Sequence, residues 1–214
     1  MANTPKIKQV ASTVEKGQTY AENMRRHARA VKEGFYFEAL LIEYAMIEDR
    51  LRSFLFHAGM LLERGDAKGF GRTKKQILMM LKQFDEKKNS TSVTSISAKE
   101  DAIRAMLGWY ASLDSAPGDD RYHNALWNQI DSRLDVKEVN GTLEALDEWR
   151  EYRNEVIHAL MNKSSDAIDA DMPSRCDQGM ALARALDKYV KQIKYGNSIR
   201  RAIGLKTDSG GRAR

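Results

Sequence analysis

Residues 35–62 read FYFEALLIEYAMIEDRLRSFLFHAGMLL, and this stretch decides the fold class. Its apolar residues recur at intervals of three and four, which is the spacing of one face of an α-helix. The members of this face are Phe37, Leu40, Leu41, Tyr44, Ile47, Leu51, Phe54, Leu55 and Ala58. A pattern this long and this regular predicts a core helix.

The same helical spacing dominates the rest of the chain, and prolines occur only at Pro5, Pro117 and Pro173. Ser97 and Glu100 have the spacing of a capping box, and Asn140 with Gly141 predicts a turn. We expect helices over about 14–31, 35–62, 77–84, 97–116, 119–135, 142–161 and 173–196. The sequence therefore predicts an all-α bundle of about five to seven helices.

Charge is distributed unevenly along the chain, which has a net charge of +5. Residues 1–33 carry 7 − 3 = +4, residues 34–183 carry 19 − 25 = −6, and residues 184–214 carry 9 − 2 = +7. We expect a charged N-terminal helix over residues 1–33, a helical domain over residues 34–196 and a disordered, flexible basic tail over residues 197–214. Basic ends of this kind favour contact with phosphates, although they also keep a protein soluble.

Length and composition restrict the other properties of the chain. At 214 residues we expect one domain. We find neither the apolar core of a signal peptide nor the roughly 18 apolar residues that a membrane span needs, so we expect a cytoplasmic protein without membrane contact. The single cysteine, Cys176, excludes an internal disulfide and a cysteine-based zinc site.

The stretch Arg153-Asn154-Glu155-Val156-Ile157-His158 carries the candidate chemistry. The apolar stripe of its helix contains Leu146, Trp149, Tyr152, Val156, Ile157 and Leu160. Arg153 falls inside this stripe, where a guanidinium is costly to bury unless it meets an anion or borders a cleft. Asn154 and His158 are four residues apart and share the adjoining face.

These residue types suit the cleavage of RNA by its own 2′-hydroxyl. That reaction needs a base, stabilisation of the phosphorane charge and an acid for the leaving oxygen. His158 can move a proton near neutral pH, and Arg153 is a permanent forked cation for phosphate. Asn154 can orient the phosphate or the imidazole through its amide. We predict Arg153, Asn154 and His158 as the catalytic residues.

The hexapeptide, with its late position and one further helix after it, resembles the motif of the HEPN superfamily of all-helical proteins. The resemblance implies a metal-independent endoribonuclease without a cofactor, of the kind found in toxin–antitoxin or phage-defence systems. It also implies a homodimer in which the motif helices of two protomers build one composite site, RNA as substrate, and an antitoxin or defence-system protein as a partner. One departure is Leu160, where HEPN toxins paired with a nucleotidyltransferase antitoxin often carry a tyrosine.

Several alternatives stay open. The chain carries a second copy of the spacing from Arg52 to His57, which we interpret as core packing with a polar edge. A non-catalytic HEPN-like RNA-binding or protein-interaction module, or a helical nucleic-acid-binding protein unrelated to HEPN, would also fit. Glu43, Glu48 or Asp49 would pair with Arg153, although Glu48 with Arg52 is a routine ion pair along a helix face. His123 beside Asp119 and Asp120 would bind a metal only with a distant ligand.

Overall fold

A computed structural model of the protein describes residues 13–61, 93–118, 120–159 and 171–204. The elements are α1 (Thr13–Lys32), α2 (Tyr36–His57), α3 (Ile96–Ala111), α4 (Arg121–Arg133), α5 (Val136–Ala159), α6 (Met172–Lys194), a 3-10 turn (Tyr195–Asn197) and α7 (Ser198–Ala202). No strand occurs in these ranges, so the all-α prediction is confirmed. None of these helices is both long enough and apolar enough to cross a bilayer.

Helices α2 and α6 lie side by side at the centre of the bundle and run in the same direction. The Sγ of Cys176 lies 3.6 Å from the carbonyl oxygen of Tyr36 near one end, and Arg50 Nη1 lies 2.7 Å from Asp187 further along. Helix α5 packs antiparallel to α6, where Trp149 Nε1 donates to the Arg175 carbonyl over 3.0 Å. The α5 motif helix is therefore anchored on the core pair.

Helix α1 folds back onto α2 through a tight turn. Gly34 adopts a φ of +77°, which favours glycine because it has no Cβ, and Phe35 N–H donates to the Ala30 carbonyl over 2.7 Å. The reversal places His27 Nε2 2.5 Å from Glu43 Oε1, and both side chains are buried. The charged N-terminal helix is thus joined to the core through a buried polar pair.

The predicted capping box at the start of α3 is wrong by two residues. The N-cap is Ser95, whose Oγ accepts a hydrogen bond from Ala98 N–H over 3.0 Å. Glu100 has no exposed surface and faces α5, so its side chain is not available to bond the N-terminus of its own helix. Burial against a second helix has overridden the local capping pattern.

The predicted turn at Asn140 and Gly141 is also wrong, because α5 begins at Val136 and runs through both residues. Asp135 Oδ1 accepts from Glu138 N–H over 3.0 Å and so caps the earlier start. Val139 is buried in the bundle, and this packing outweighs the low helix propensity of glycine.

The predicted start of the tail at residue 197 is wrong, because the short helix α7 follows and packs back onto the bundle. Ile199 and Arg200 are each 1% exposed. Arg200 Nη1 donates to the carbonyls of Phe56 and Leu61 over 2.7 Å each, and its guanidinium lies 3.7 Å from the centroid of the Phe56 ring. These bonds and the apolar Ile199 fix a segment that composition assigns to the tail.

Several predicted features lie outside the described residues. They are the first residues of the chain (1–12), the glycine-bearing loop and short helix within 62–92, Asp119, Leu160 with the connection within 160–170, and the last ten residues (205–214).

Candidate active site on helix α5

One face of α5 changes from apolar to polar along its length. In the first half this face consists of Val139, Leu143 and Leu146, which are buried in the core. At 100° per residue the same face continues in the second half as Arg150, Arg153, Asn154 and Ile157, all of them half-buried. The core stripe therefore ends in a partly covered polar surface, which is a suitable position for a catalytic site.

Arg153 is held in this surface by an aromatic ring and a neighbouring amide. Its guanidinium carbon lies 4.2 Å from the centroid of the Tyr44 ring, and Nη1 donates to Asn154 Oδ1 over 3.1 Å. Its Nε is buried and has no hydrogen-bond partner among the described residues. The cation is thus oriented by Tyr44 and Asn154, and one of its donors is left unsatisfied.

The three carboxylates that were candidates to pair with Arg153 have other partners. Glu43 pairs with His27, and Asp49 forms an ion pair with Arg50. Glu48 accepts from Arg52 Nη2 over 2.8 Å, as in the routine interpretation, and lies 3.2 Å from Lys99 Nζ. The ring of Tyr44, one residue after Glu43, covers the guanidinium where a carboxylate was expected.

His158 lies in the last turn of α5 and is exposed. It follows Arg153 by five positions, which corresponds to about 7.5 Å along the helix axis and about 140° around it. The structure therefore brings Arg153 and Asn154 together, whereas the His158 side chain leaves the helix in a different direction.

A second arginine, missed by the sequence analysis, lies one turn before Arg153. Arg150 Nη2 donates to Asp147 Oδ1 over 2.8 Å, and its Nε lies 3.5 Å from Oε2 of Glu100. Asp147 also pairs with Arg104 over 2.5 Å. The pairs join α3 to α5 on the same polar surface that carries Arg153.

Glu100 is the most unusual member of this group. It has no exposed surface, and neither of its carboxyl oxygens has a hydrogen-bond partner within the described part of the chain. Burial raises the pKa of this carboxyl to about 7, and the nearby Asp147 acts in the same direction. The sequence does contain a signal for this residue, since Glu100 interrupts the apolar stripe formed by Ile96, Ile103 and Leu107.

Lys99 extends the polar surface toward α2. It is 1% exposed, and its Nζ donates to the Thr94 carbonyl over 2.8 Å and to Glu48. Burial lowers the pKa of Lys99. The polar surface thus follows the junction of α2, α3 and α5. Its members are Tyr44, Glu48, Lys99, Glu100, Arg150 and Arg153.

The other sequence candidates have structural roles. His57, in the second copy of the motif spacing, is 2% exposed and lies edge-on to Phe56, so the interpretation as core packing is confirmed. The His123 ring lies 5.1 Å from the Trp109 ring, and its Nδ1 is 3.7 Å from Oδ1 of Asp120, the N-cap of α4. Within the described residues, no three His, Cys, Asp or Glu side chains are grouped to share a metal ion.

Comparison with protein-family models, curated proteins and solved structures found no match to this chain. The resemblance to HEPN proteins therefore stays a prediction that rests on the residue types and spacing from Arg153 to His158.

Proposed function

We propose that the protein is a metal-independent endoribonuclease of the HEPN type, in which Arg153, Asn154 and His158 act on RNA. One observation carries this proposal. The core face of α5 becomes polar at the motif, where Tyr44 and Asn154 orient the half-buried Arg153 guanidinium and no carboxylate among the described residues forms an ion pair with it. A cation that is fixed and incompletely satisfied suits a phosphodiester group.

The chemistry follows from the residue types. A base removes the proton of the 2′-hydroxyl, whose oxygen attacks the adjacent phosphorus, and an acid protonates the departing 5′-oxygen. His158 takes one of these proton-transfer roles, and Arg153 stabilises the negative charge that develops on the phosphorane. The products are a 2′,3′-cyclic phosphate and a 5′-hydroxyl, and no water enters this step.

A homodimer would complete the site. Because Arg153 and His158 of one chain diverge by about 140°, one protomer alone is poorly arranged to place both on a single phosphate. Two α5 helices that face each other would set His158 of one protomer beside Arg153 of its partner. Leu41, one turn before Tyr44 on α2, is 44% exposed and offers apolar surface beside the site for such a contact.

The composite site is tested by mixing two inactive variants. Arg153→Ala and His158→Ala proteins, combined and allowed to exchange subunits, should regain part of the cleavage activity, because the composite site of each heterodimer would keep one Arg153 from one protomer and one His158 from the other. Light scattering at the assay concentration should give the mass of a dimer. A monomer that cleaves RNA would contradict the composite site.

We further propose a toxin or phage-defence role, with RNA as substrate and an antitoxin or defence-system protein as partner. The support is the resemblance of the stretch from Arg153 to His158 to the motif of HEPN ribonucleases, which implies an enzyme of the kind found in toxin–antitoxin or phage-defence systems. Co-expression with the products of neighbouring genes tests this role: a partner of the proposed kind should bind the protein and suppress cleavage.

The second candidate function is a non-catalytic HEPN-like module that binds RNA or a protein. The divergence of Arg153 and His158 within one chain favours it, because binding does not require the two groups to converge. An assay of purified protein on single-stranded RNA with EDTA separates the candidates. The enzyme should produce cyclic phosphate ends and leave DNA intact, whereas the binding module should retain RNA without cutting it.

A further inference from the structure

We propose that Arg150 and Arg153 form a phosphodiester clamp, and that Glu100 is the counter-ion which the phosphate displaces from Arg150. The inference rests on the proposed function, because it takes RNA as the ligand. It adds a second cation and a buried carboxyl to the site.

The position of Arg150 suits this role. It precedes Arg153 by one helical turn on the face where α5 becomes polar, and one quarter of its side-chain surface is exposed. Two guanidinium groups at this spacing present several N–H donors on one side of a helix, which matches the several acceptor oxygens of a phosphodiester strand.

The ion pair between Arg150 and Glu100 is loose. Arg150 Nε and Glu100 Oε2 are 3.5 Å apart, and neither atom has a hydrogen-bond partner among the described residues. A phosphate oxygen typically forms a charge-assisted bond of about 2.7–2.9 Å with a guanidinium. Because the Arg150 Nε atom is itself buried, a phosphate would bind the exposed quarter of the Arg150 side chain and become its stronger counter-ion in place of Glu100, while Asp147 keeps Arg150 in place through Nη2.

Binding of a phosphate to Arg150 would change the charge around the buried Glu100 carboxyl. The groups that act on Glu100 are Arg150 and Asp147 from α5, and Arg104 and Asp101 from its own helix. The pKa of Glu100 is already raised to about 7 by burial. Once Arg150 is neutralised by a phosphate, the remaining field is more negative, so Glu100 binds a proton.

The sign of the pH dependence follows from this proton uptake. Below about pH 6 Glu100 is almost fully protonated before the ligand binds, so this group gives little pH dependence there. Above pH 7 each binding event takes up to one proton, and affinity falls as pH rises, by up to about tenfold per pH unit.

The experiment measures the affinity of a 2′-O-methyl oligonucleotide, which cannot be cleaved and whose phosphodiesters do not titrate near neutral pH. His158→Ala is present in every protein, so that this imidazole does not contribute. Between pH 7 and 8.5 the affinity of the parent protein should fall, whereas Glu100→Gln should bind equally well across the range and as tightly as the parent does at pH 6. Glu43→Gln is the matched control, because Glu43 is equally buried, has a pKa raised to about 7 and pairs with His27 instead of an arginine of the clamp. It should keep the parental slope.

The role of Arg150 is tested in a background without the Glu100 carboxylate, so that its replacement does not leave a buried charge without a counter-ion. In the Glu100→Gln background, Arg150→Gln should weaken oligonucleotide binding by about tenfold. Arg104→Gln is the control, because Arg104 also forms an ion pair with Asp147. It should leave the affinity unchanged. Unchanged affinity in the Arg150 variant, or a parental slope in Glu100→Gln, would overturn the clamp. Because the assay needs no cleavage, the clamp and the proposed nuclease activity can fail separately.

Discussion

The guanidinium of Arg153 lies 4.2 Å from the centre of the Tyr44 ring, so an aromatic face on α2 covers the motif arginine of α5. A ring attracts a cation through its quadrupole without neutralising it, whereas a carboxylate would compete with phosphate for the same donors. This relationship explains how an arginine on an apolar stripe stays oriented and still able to bind an anion.

Replacement of Tyr44 tests this relationship. Tyr44→Ala removes the ring and should lower RNA cleavage by about fivefold or more, because the attraction between a cation and a ring is worth about 1 kcal/mol or more when it is partly desolvated. Tyr44→Phe keeps the ring and should retain activity. Equal losses in the two variants would assign the effect to the hydroxyl and contradict a role for the ring.

Gly179 provides a test of the packing between α2, α5 and α6. A Cβ at this position would collide with Glu43 Oε2 and approach Trp149 Nε1 to 2.7 Å. Gly179→Ala should therefore lower the free energy of unfolding by about 1–3 kcal/mol. The control is Gly141→Ala in α5, where a Cβ meets nothing within 4 Å and the gain in helix propensity should stabilise the protein by up to about 1 kcal/mol.

Urea denaturation of both glycine variants provides the comparison. The described packing predicts changes of opposite sign. A Gly179→Ala protein as stable as the parent would mean that the junction of Glu43 and Trp149 is looser than described.

Glu100 should make the stability of the fold depend on pH. Its pKa is about 7 in the folded protein against an ordinary value of 4.5, so the folded state binds more protons than the unfolded state between these values. The stabilisation is therefore fully present below about pH 4.5 and is lost as pH rises toward 7. Glu100→Gln removes this ionisation, and relative to the parent it should gain about 3 kcal/mol of unfolding free energy on going from pH 4.5 to pH 8.

Denaturation midpoints of the two proteins at pH 4.5, 6 and 8 measure this difference. If the parent and Glu100→Gln lose stability in parallel as pH rises, the carboxyl is ionised without cost and its burial does not have the described effect.

Arg200 should matter for stability although composition places it in a tail. Arg200→Ala removes two bonds from a buried guanidinium to the carbonyls of Phe56 and Leu61, and it should cost about 3 kcal/mol at hydrogen-bond strengths of about 1.5–3 kcal/mol for charged donors. Arg201→Ala, an exposed neighbour on the same helix, should change the stability by less than about 0.5 kcal/mol. If thermal unfolding shows an equally small change in stability for both substitutions, residues 198–204 do not pack on the bundle and belong to a free tail.

Periodicity predicted the fold class and most of the helices, because the three-to-four spacing of apolar residues over 35–62 reflects burial directly. The errors have one physical cause. At Gly141, Glu100 and Arg200, contacts with distant parts of the chain outweigh the local preference of the residue. Such contacts are not visible in the neighbouring sequence.

The candidate site was predictable only in part. Arg153, Asn154 and His158 stand out through residue type and spacing within one helix. Tyr44 belongs to a regular apolar stripe of α2, and Arg150 pairs across to α3, so their proximity to Arg153 depends on how three helices pack. Spacing along one helix carries no information about that packing.

The most direct test of the central claim is the rate of RNA cleavage by His158→Ala in the presence of EDTA. The residue is exposed in the last turn of α5, so the substitution should leave the fold intact, and Glu155→Ala, an exposed neighbour on the same helix, is the control. Loss of one proton-transfer group should lower the rate by about 10²-fold or more, while the control keeps the parental rate. Cleavage by His158→Ala at the parental rate would contradict the assignment of this helix as the catalytic element.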